Sequence, residues 1–355
     1  MMKLKVRFIF ILILGILCTN IVVTQELNHQ SFNLRILETD ANKTEVEFAP
    51  NPIVILGDSA FADYDFSGNG STTNPYIIEN LIIKTPSICI NISNTRKHFI
   101  IYDCSISGTS SQTGYGIYLD NVTNCVISSS TISSTHEGIS IHNSKFINVT
   151  NMEISDCAYG VRMNTTSDID VNSSSISNFY LGIEIRHSLN CSLFNNTIEN
   201  GTGRGTFVAF SSLIDINFCN FFNNEIDGVY FYESQFMNVT QNEIYGNMNI
   251  GLVLNYCNNS MIIENGLGWN KLNALDNGVG NKWNNSIIGN YWSNHVTGAI
   301  FSIPGSGLAK DYFPHHLLFG EAPEELSFLD TDNNFRFYIN AEAFHADHYA
   351  VLLNG

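Results

Sequence analysis

Seven glycines recur down the middle of the chain at nearly constant spacing. Gly116, Gly138, Gly160, Gly182, Gly205, Gly228 and Gly251 lie 22, 22, 22, 23, 23 and 23 residues apart. Other positions keep step with them. The residue after each glycine reads Ile117, Ile139, Val161, Ile183, Thr206, Val229, Leu252, and two further on come Leu119, Ile141, Met163, Ile185, Val208, Phe231, Leu254. A third column holds Ile127, Val149, Val171, Leu193, Ile216, Val239, Ile262, and a fourth Ile132, Ile154, Ile176, Ile198, Phe221, Ile244, Leu267. Apolar and polar residues alternate within each unit, which is the period of a strand and not of a helix. Strands this short cannot bury a face alone, so the units must stack on one another. Like residues stacked about 4.8 Å apart and pointing inward define an all-β parallel β-helix, a solenoid of 22–23-residue coils. Leucine-rich and WD40 arrays do not fit, the first for want of its Leu/Asn signature and the second because its period is longer.

A further coil precedes these, with Ile90, Ile92 and Asn94 matching Ile117, Leu119 and Asn121, and residues 74–83 read as the first coil or its cap. At the other end Trp269, Trp283 and Trp292 fall in an irregular stretch and are expected to plug the cylinder, because exposed edge strands aggregate. The run GNYWSNH (289–295) followed by DYFP (311–314) resembles the terminal signature of the NosD-type right-handed β-helix family. Residues 53–83, with Gly57-Asp58-Ser59, Gly68-Asn69-Gly70 and Asn74-Pro75-Tyr76, are similar to the cap of archaeal surface members. The resemblance covers about residues 53–318 and implies a right-handed winding. It departs after His295, where VTGAIFSIPGSGLAK (296–310) replaces the acidic loop usual in the family.

Outside the solenoid the chain changes character. Lys3, Lys5 and Arg7 precede an apolar run from Phe8 to Leu17, so residues 1–24 read as a signal peptide or N-terminal anchor. Asn-x-Ser/Thr sequons from Asn42 to Asn284 agree with export to the cell surface or beyond. Residues 25–52 read as a linker and 53–318 as the solenoid with its caps. Residues 319–355 read as a second linker and the start of an incomplete β-sandwich resembling an immunoglobulin or fibronectin module. With 16 Lys+Arg against 33 Asp+Glu, a net charge of −17 argues against a nucleic-acid partner. Membrane contact is expected only through an uncleaved N-terminal segment.

The outward positions define two faces. On the first strand of each coil Tyr118, Asp120, His142, Arg162, Glu184, Arg186, Tyr230 and Tyr232 mix rings, cations and carboxylates, the composition of an oligosaccharide groove. The alternative is that Arg162, Glu184 and Arg186 neutralise one another between coils. A lyase pairing of His142 with Arg162 or Arg186 has no supporting motif. On the second strand Asp168 and Asp170 are expected to point the same way about 7 Å apart, with Asp215 in the Asp170 column two coils on. That spacing touches the range of inverting glycosidases, but no His or Arg shares the face and neighbouring sequons crowd it. No C-x-x-C occurs, and Cys125 and Cys191 fall in an apolar column, so the cysteines read as buried thiols. The close histidine pairs His315-His316 and His345/His348 lie outside the repeats, and a copper-related periplasmic role is the second alternative. The Ser/Thr column Ser144, Thr166, Ser188, Ser211, Ser234 is expected to hold a corner by hydrogen bonds along the axis. Together these readings give an exported, non-catalytic scaffold that binds polysaccharide or a surface glycoprotein, with no metal or cofactor expected. The competing class is a polysaccharide-cleaving hydrolase or lyase acting on an acidic glycan.

Overall fold

The computed structural model describes residues 52–295 and 300–317 in full, and the backbone of Val22–Thr24, Arg35–Leu37 and Glu47–Phe48. Two compact units divide at Glu47 and Phe48. In the first, Val22–Thr24 pairs antiparallel with Arg35–Leu37. The rest of the expected signal or anchor and the incomplete module of residues 319–355 lie outside the described residues.

The second unit is a parallel β-helix of three sheets. The first sheet runs from Ile53–Leu56 through Glu137–His142, Tyr159–Asn164, Leu181–Arg186 and Arg204–Ala209 to Leu272–Asp276, each strand parallel to the next. The second contains Tyr76–Glu79, Phe99–Tyr102, Lys145–Thr150, Ser167–Asn172, Leu189–Phe194 and Ser212–Asn217. The third is built of three-residue strands such as Thr131–Ser133, Glu153–Ser155 and Ser175–Ser177. The registers reproduce the sequence columns: Ile117, Ile139, Val161 and Ile183 pair in succession, as do Ile132, Ile154 and Ile176. Residues 53–84 form a full first coil, since Ile53–Leu56, Tyr76–Glu79 and Leu81–Lys84 contribute one strand to each sheet.

These columns are the core. Ile139, Ile183, Val171, Ile198 and Leu254 have no exposed surface, and burying each such side chain is worth about 1.5–3 kcal/mol. The seven described cysteines are free thiols in the same interior. Burial pushes Cys219 and Cys257 up to about 12 and Cys89, Cys104 and Cys191 up to about 11, so they stay protonated and inert.

Corners turn sharply because one residue in each adopts a left-handed backbone. Between the first and second sheets this residue is Asn143 (φ 48°), Thr165 (φ 58°), His187 (φ 49°) and Phe210 (φ 52°) in successive coils. The next residue points inward and is a hydroxyl. The Ser188 amide donates to Ser211 Oγ (3.1 Å), the Ser211 amide donates to Ser234 Oγ (3.1 Å), and Ser211 Oγ donates to the Ala209 carbonyl (2.8 Å). The corner after the second sheet uses serine hydroxyls in the early coils, Ser130 and Ser174, and amides in the later ones. Asn242 Nδ2 donates to Asn265 Oδ1 (2.9 Å), and Asn265 Nδ2 to Asn290 Oδ1 (3.0 Å). Such rungs satisfy polar groups that would otherwise be buried without partners.

The lower end is closed by two of the three tryptophans. Trp283 and Trp292 are fully buried, and Trp292 stacks on Phe301 at 4.0 Å. Trp269 does not plug the cylinder, because its left-handed corner (φ 49°) turns the half-buried ring toward Tyr245, centroids 6.1 Å apart. Asp311 ties the GNYW run together, accepting bonds from the Asn290 amide (2.7 Å) and Trp292 Nε1 (3.0 Å). Trp283 Nε1 donates to Asp276 (2.8 Å). No helix among the described residues is long and apolar enough to cross a membrane.

Candidate functional site

The first sheet lines up its outward residues in the expected register. Tyr118, Ser140, Arg162 and Glu184 succeed one another, then Phe207 and Tyr230, while Asp120, His142, Asn164 and Arg186 form the parallel column that reaches Tyr232. The charges on this strip are layered. Glu137, Glu184 and Asp227 are buried, 3%, 2% and 1% exposed, Glu184 in the outward column of the sheet and Glu137 and Asp227 immediately before a repeat glycine. Each lies under a guanidinium. Arg162 binds Glu137 (2.8 Å) and Glu184 (2.6 Å), Arg186 Nε pairs with the other oxygen of Glu184, and Arg204 Nε donates to Asp227 (2.8 Å). The neutralisation between coils anticipated from the sequence is therefore real, and it recruits Glu137, Arg204 and Asp227 as well.

Rings cover the guanidinium planes. Arg162 lies over Tyr159 at 4.9 Å, Arg186 over Phe207 at 4.7 Å, and Arg204 over Tyr230 at 4.4 Å and Phe207 at 5.7 Å. Tyr118 packs on Tyr115 and His142, and Asp120 accepts a bond from Asn143 Nδ2 (2.8 Å). Ser140 Oγ donates to Glu137 (2.5 Å) and lies 2.8 Å from His142 Nε2. Tyr232 joins a second run of rings along the corner, where His187 stacks on Phe210 at 5.0 Å and Tyr232 meets Phe210 and Tyr256 edge-on.

On the second sheet Asp168, Asp170 and Asp215 border one shallow cavity of about 660 Å³. Asp168 interrupts the strand Ser167–Asn172 as an unpaired left-handed residue: its φ is 56°, and the register skips it between the Ser167–Leu189 and Ile169–Cys191 pairs. It accepts a bond from Asn190 Nδ2 (2.7 Å). A histidine does share this groove, contrary to the sequence reading. His98, 3.0 Å from Thr72 Oγ1, lines the groove with Pro75. His98 stands just before Phe99, in line with Asn124, Phe146 and Asp168 of the following coils, so the coil register itself brings it to the groove. Burial raises the Asp170 carboxyl above its ordinary range, with the Asp168 charge adding to it. Burial raises Asp215 too, against a lowering bond from Asn238.

A closed winding of stacked coils with a polar, ring-lined flank defines this chain as a parallel β-helix protein. The family described as Periplasmic copper-binding protein (NosD) matches residues 90–297, and the chain belongs to that family. No curated protein matches it significantly. Among solved structures it is similar to the enzymatically active domain of tailspike protein 2 from bacteriophage CBA120, with 13% identity, 67% of this chain and 43% of the phage chain covered, and a TM-score of 0.49. It is also similar to the DFA-IIIase of Arthrobacter chlorophenolicus A6, at 13% identity, 72% and 80% coverage and a TM-score of 0.49. The A-module of the mannuronan C-5 epimerase AlgE6 of Azotobacter vinelandii shares 12% identity over 68% of this chain and 71% of its own, with a TM-score of 0.47.

Copper would need thiolate, thioether or imidazole donors converging on one point. The described thiols are buried with raised pKa values. His315 stacks on Tyr291 at 4.9 Å, and His316 Nδ1 lies 2.8 Å from the His295 carbonyl. No group of three or more His, Cys, Asp or Glu among the described residues is placed to hold a metal ion. The described residues do not fit a copper centre, and His345 and His348 lie outside them.

Proposed function

We propose that this protein is an exported, non-catalytic scaffold that binds polysaccharide, free or on a surface glycoprotein, along its first sheet. The observation that supports it is the run of guanidinium and aromatic planes from Tyr118 to Tyr232, held in fixed order by the coil register. Aromatic faces stack on sugar rings, and fixed polar groups select hydroxyls. Each ring is also preordered by its neighbours, which lowers the entropy lost on binding. The test is affinity for a panel of soluble polysaccharides. Tyr230→Ala or Tyr232→Ala should weaken retention about two- to tenfold, the worth of one aromatic contact. Undiminished retention by both variants would refute the location.

The groove on the second sheet supports a second reading, hydrolytic cleavage of a glycan. Asp170 and Asp215 stand two rungs apart in one column, about 9.6 Å at the strand spacing. That is the upper edge of the separation used by inverting glycosidases. Product release from an acidic polysaccharide that vanishes in Asp170→Asn would support it, and unchanged turnover in that variant would eliminate it.

A further inference from the structure

We infer that the polysaccharide held by the first sheet carries carboxylates, and that these dock on the paired guanidinium forks of Arg186 and Arg204. The inference rests on the binding role proposed above and names its ligand class. Among the residues described in full there are four arginines, and three of them, Arg162, Arg186 and Arg204, stand on this one strip. Arg186 and Arg204 each turn Nε inward onto a buried carboxylate. Their terminal nitrogens then have no hydrogen-bond partner among the described residues, and the two side chains remain 37% and 36% exposed.

Such a side chain presents two parallel N–H groups, the geometry that takes a carboxylate with two oxygens at once. The usual cost of ordering an arginine is already met, because the buried acid and the ring beneath fix the fork before a ligand arrives. The two forks are neighbours. Both lie over the ring of Phe207, at 4.7 and 5.7 Å, and they come from adjacent coils. Glu184 and Asp227 are each covered by their arginine, so they offer the ligand little bare negative charge despite the overall −17. A neutral glycan offers the outward N–H groups only hydroxyl oxygens, which bond more weakly and one at a time, without the charge-assisted pair a carboxylate makes. The forks match a planar carboxylate through both of its oxygens, and sulfate is the competing anion in the test.

The test titrates the full chain with polygalacturonate, with its fully methyl-esterified form and with a sulfated galactan. Polygalacturonate should bind at least tenfold more tightly than the ester, and the advantage should shrink as salt rises. Arg186→Lys and Arg204→Lys keep a charge over Glu184 and Asp227, so the coils stay folded, but remove the fork. Each should lower polygalacturonate affinity about tenfold and affinity for the ester by a clearly smaller factor, so that the acid-to-ester preference falls. Equal affinity for acid and ester overturns the inference and leaves the binding role standing. Tighter binding of the sulfated galactan assigns the forks to sulfate and overturns the carboxylate. Full affinity in both lysine variants overturns the docking position. If no neutral or acidic polysaccharide binds, the binding role itself fails.

Discussion

Substitution of Gly160 by alanine tests the reason for the glycine column directly. A Cβ at Gly160 would stand 2.5 Å from the Gly182 carbonyl oxygen and 2.5 Å from Ile176 Cγ2. Comfortable carbon contacts begin near 3.3–3.5 Å, so adjacent coils would have to part by nearly 1 Å. They are bonded into ladders with a spacing of about 4.8 Å on all three sheets and have little room to do so. Overpacking of this kind costs about 1–3 kcal/mol. Replacing glycine in a strand returns 0.5–1 kcal/mol through the unfolded chain, roughly, which leaves a net loss of about 1–2 kcal/mol. At about 2–4 °C for each kcal/mol in a domain of this size, Tm should fall by several degrees. Gly266→Ala is the internal control, because its nearest neighbour is Leu317 Cδ1 at 3.8 Å, an ordinary contact. Thermal unfolding followed by circular dichroism on both variants decides the matter. Equal melting of Gly160→Ala and the parent protein, or equal losses in both variants, would refute the close-packing argument.

Two other outcomes follow from the ionisable groups. Asp170 and Asp215 have folded pKa values above their unfolded ones, so the native state binds their protons more tightly. The stability they contribute is complete below the unfolded value, about 3.9, and is lost as pH rises through the folded one. Asp170→Asn and Asp215→Asn should therefore melt above the parent at pH 7 and merge with it near pH 3, and a lower Tm at pH 7 would contradict this. Cys219, pushed up to about 12, and Cys89, Cys104, Cys191 and Cys257 should resist iodoacetamide at pH 8 in the folded protein and react fully in urea. Peptide mass mapping that finds Cys219 alkylated under native conditions would overturn the burial assigned to it.

The coil architecture was legible because its signal is redundant. Ile139 and Ile183 each belong to a column whose other members say the same thing, and the hydroxyls from Ser144 to Ser234 repeat at the same period. The asparagine rungs Asn242, Asn265 and Asn290 were legible in principle but hidden by their polarity, since an inward amide looks like an outward one until its partner in the next coil is known. The charged layer was half read. Arg162, Glu184 and Arg186 lie in the columns that follow the glycine, whereas Glu137 and Asp227 occupy the position just before it, and only the fold shows that a carboxylate there tucks beneath an arginine. Asp168 illustrates the converse: strict alternation assigns it a side, and a left-handed residue breaks alternation without leaving a mark in composition. His98 was missed because the second strand of its coil, Phe99–Tyr102, was not aligned with the later columns, where this histidine stands in line with Asp168.

Hydroxyl and amide rungs join each coil only to the one above and the one below. Length is thus an adjustable quantity in this design. Splicing in one whole turn would shift the tryptophan stopper by a single step and leave every other turn unaware of the change. Duplication alone can in this way match the span of the molecule to that of a long chain-like partner; a turn absorbs one extra residue, as the change from 22 to 23 shows, whereas the same residue added within a strand would turn a greasy column out into water.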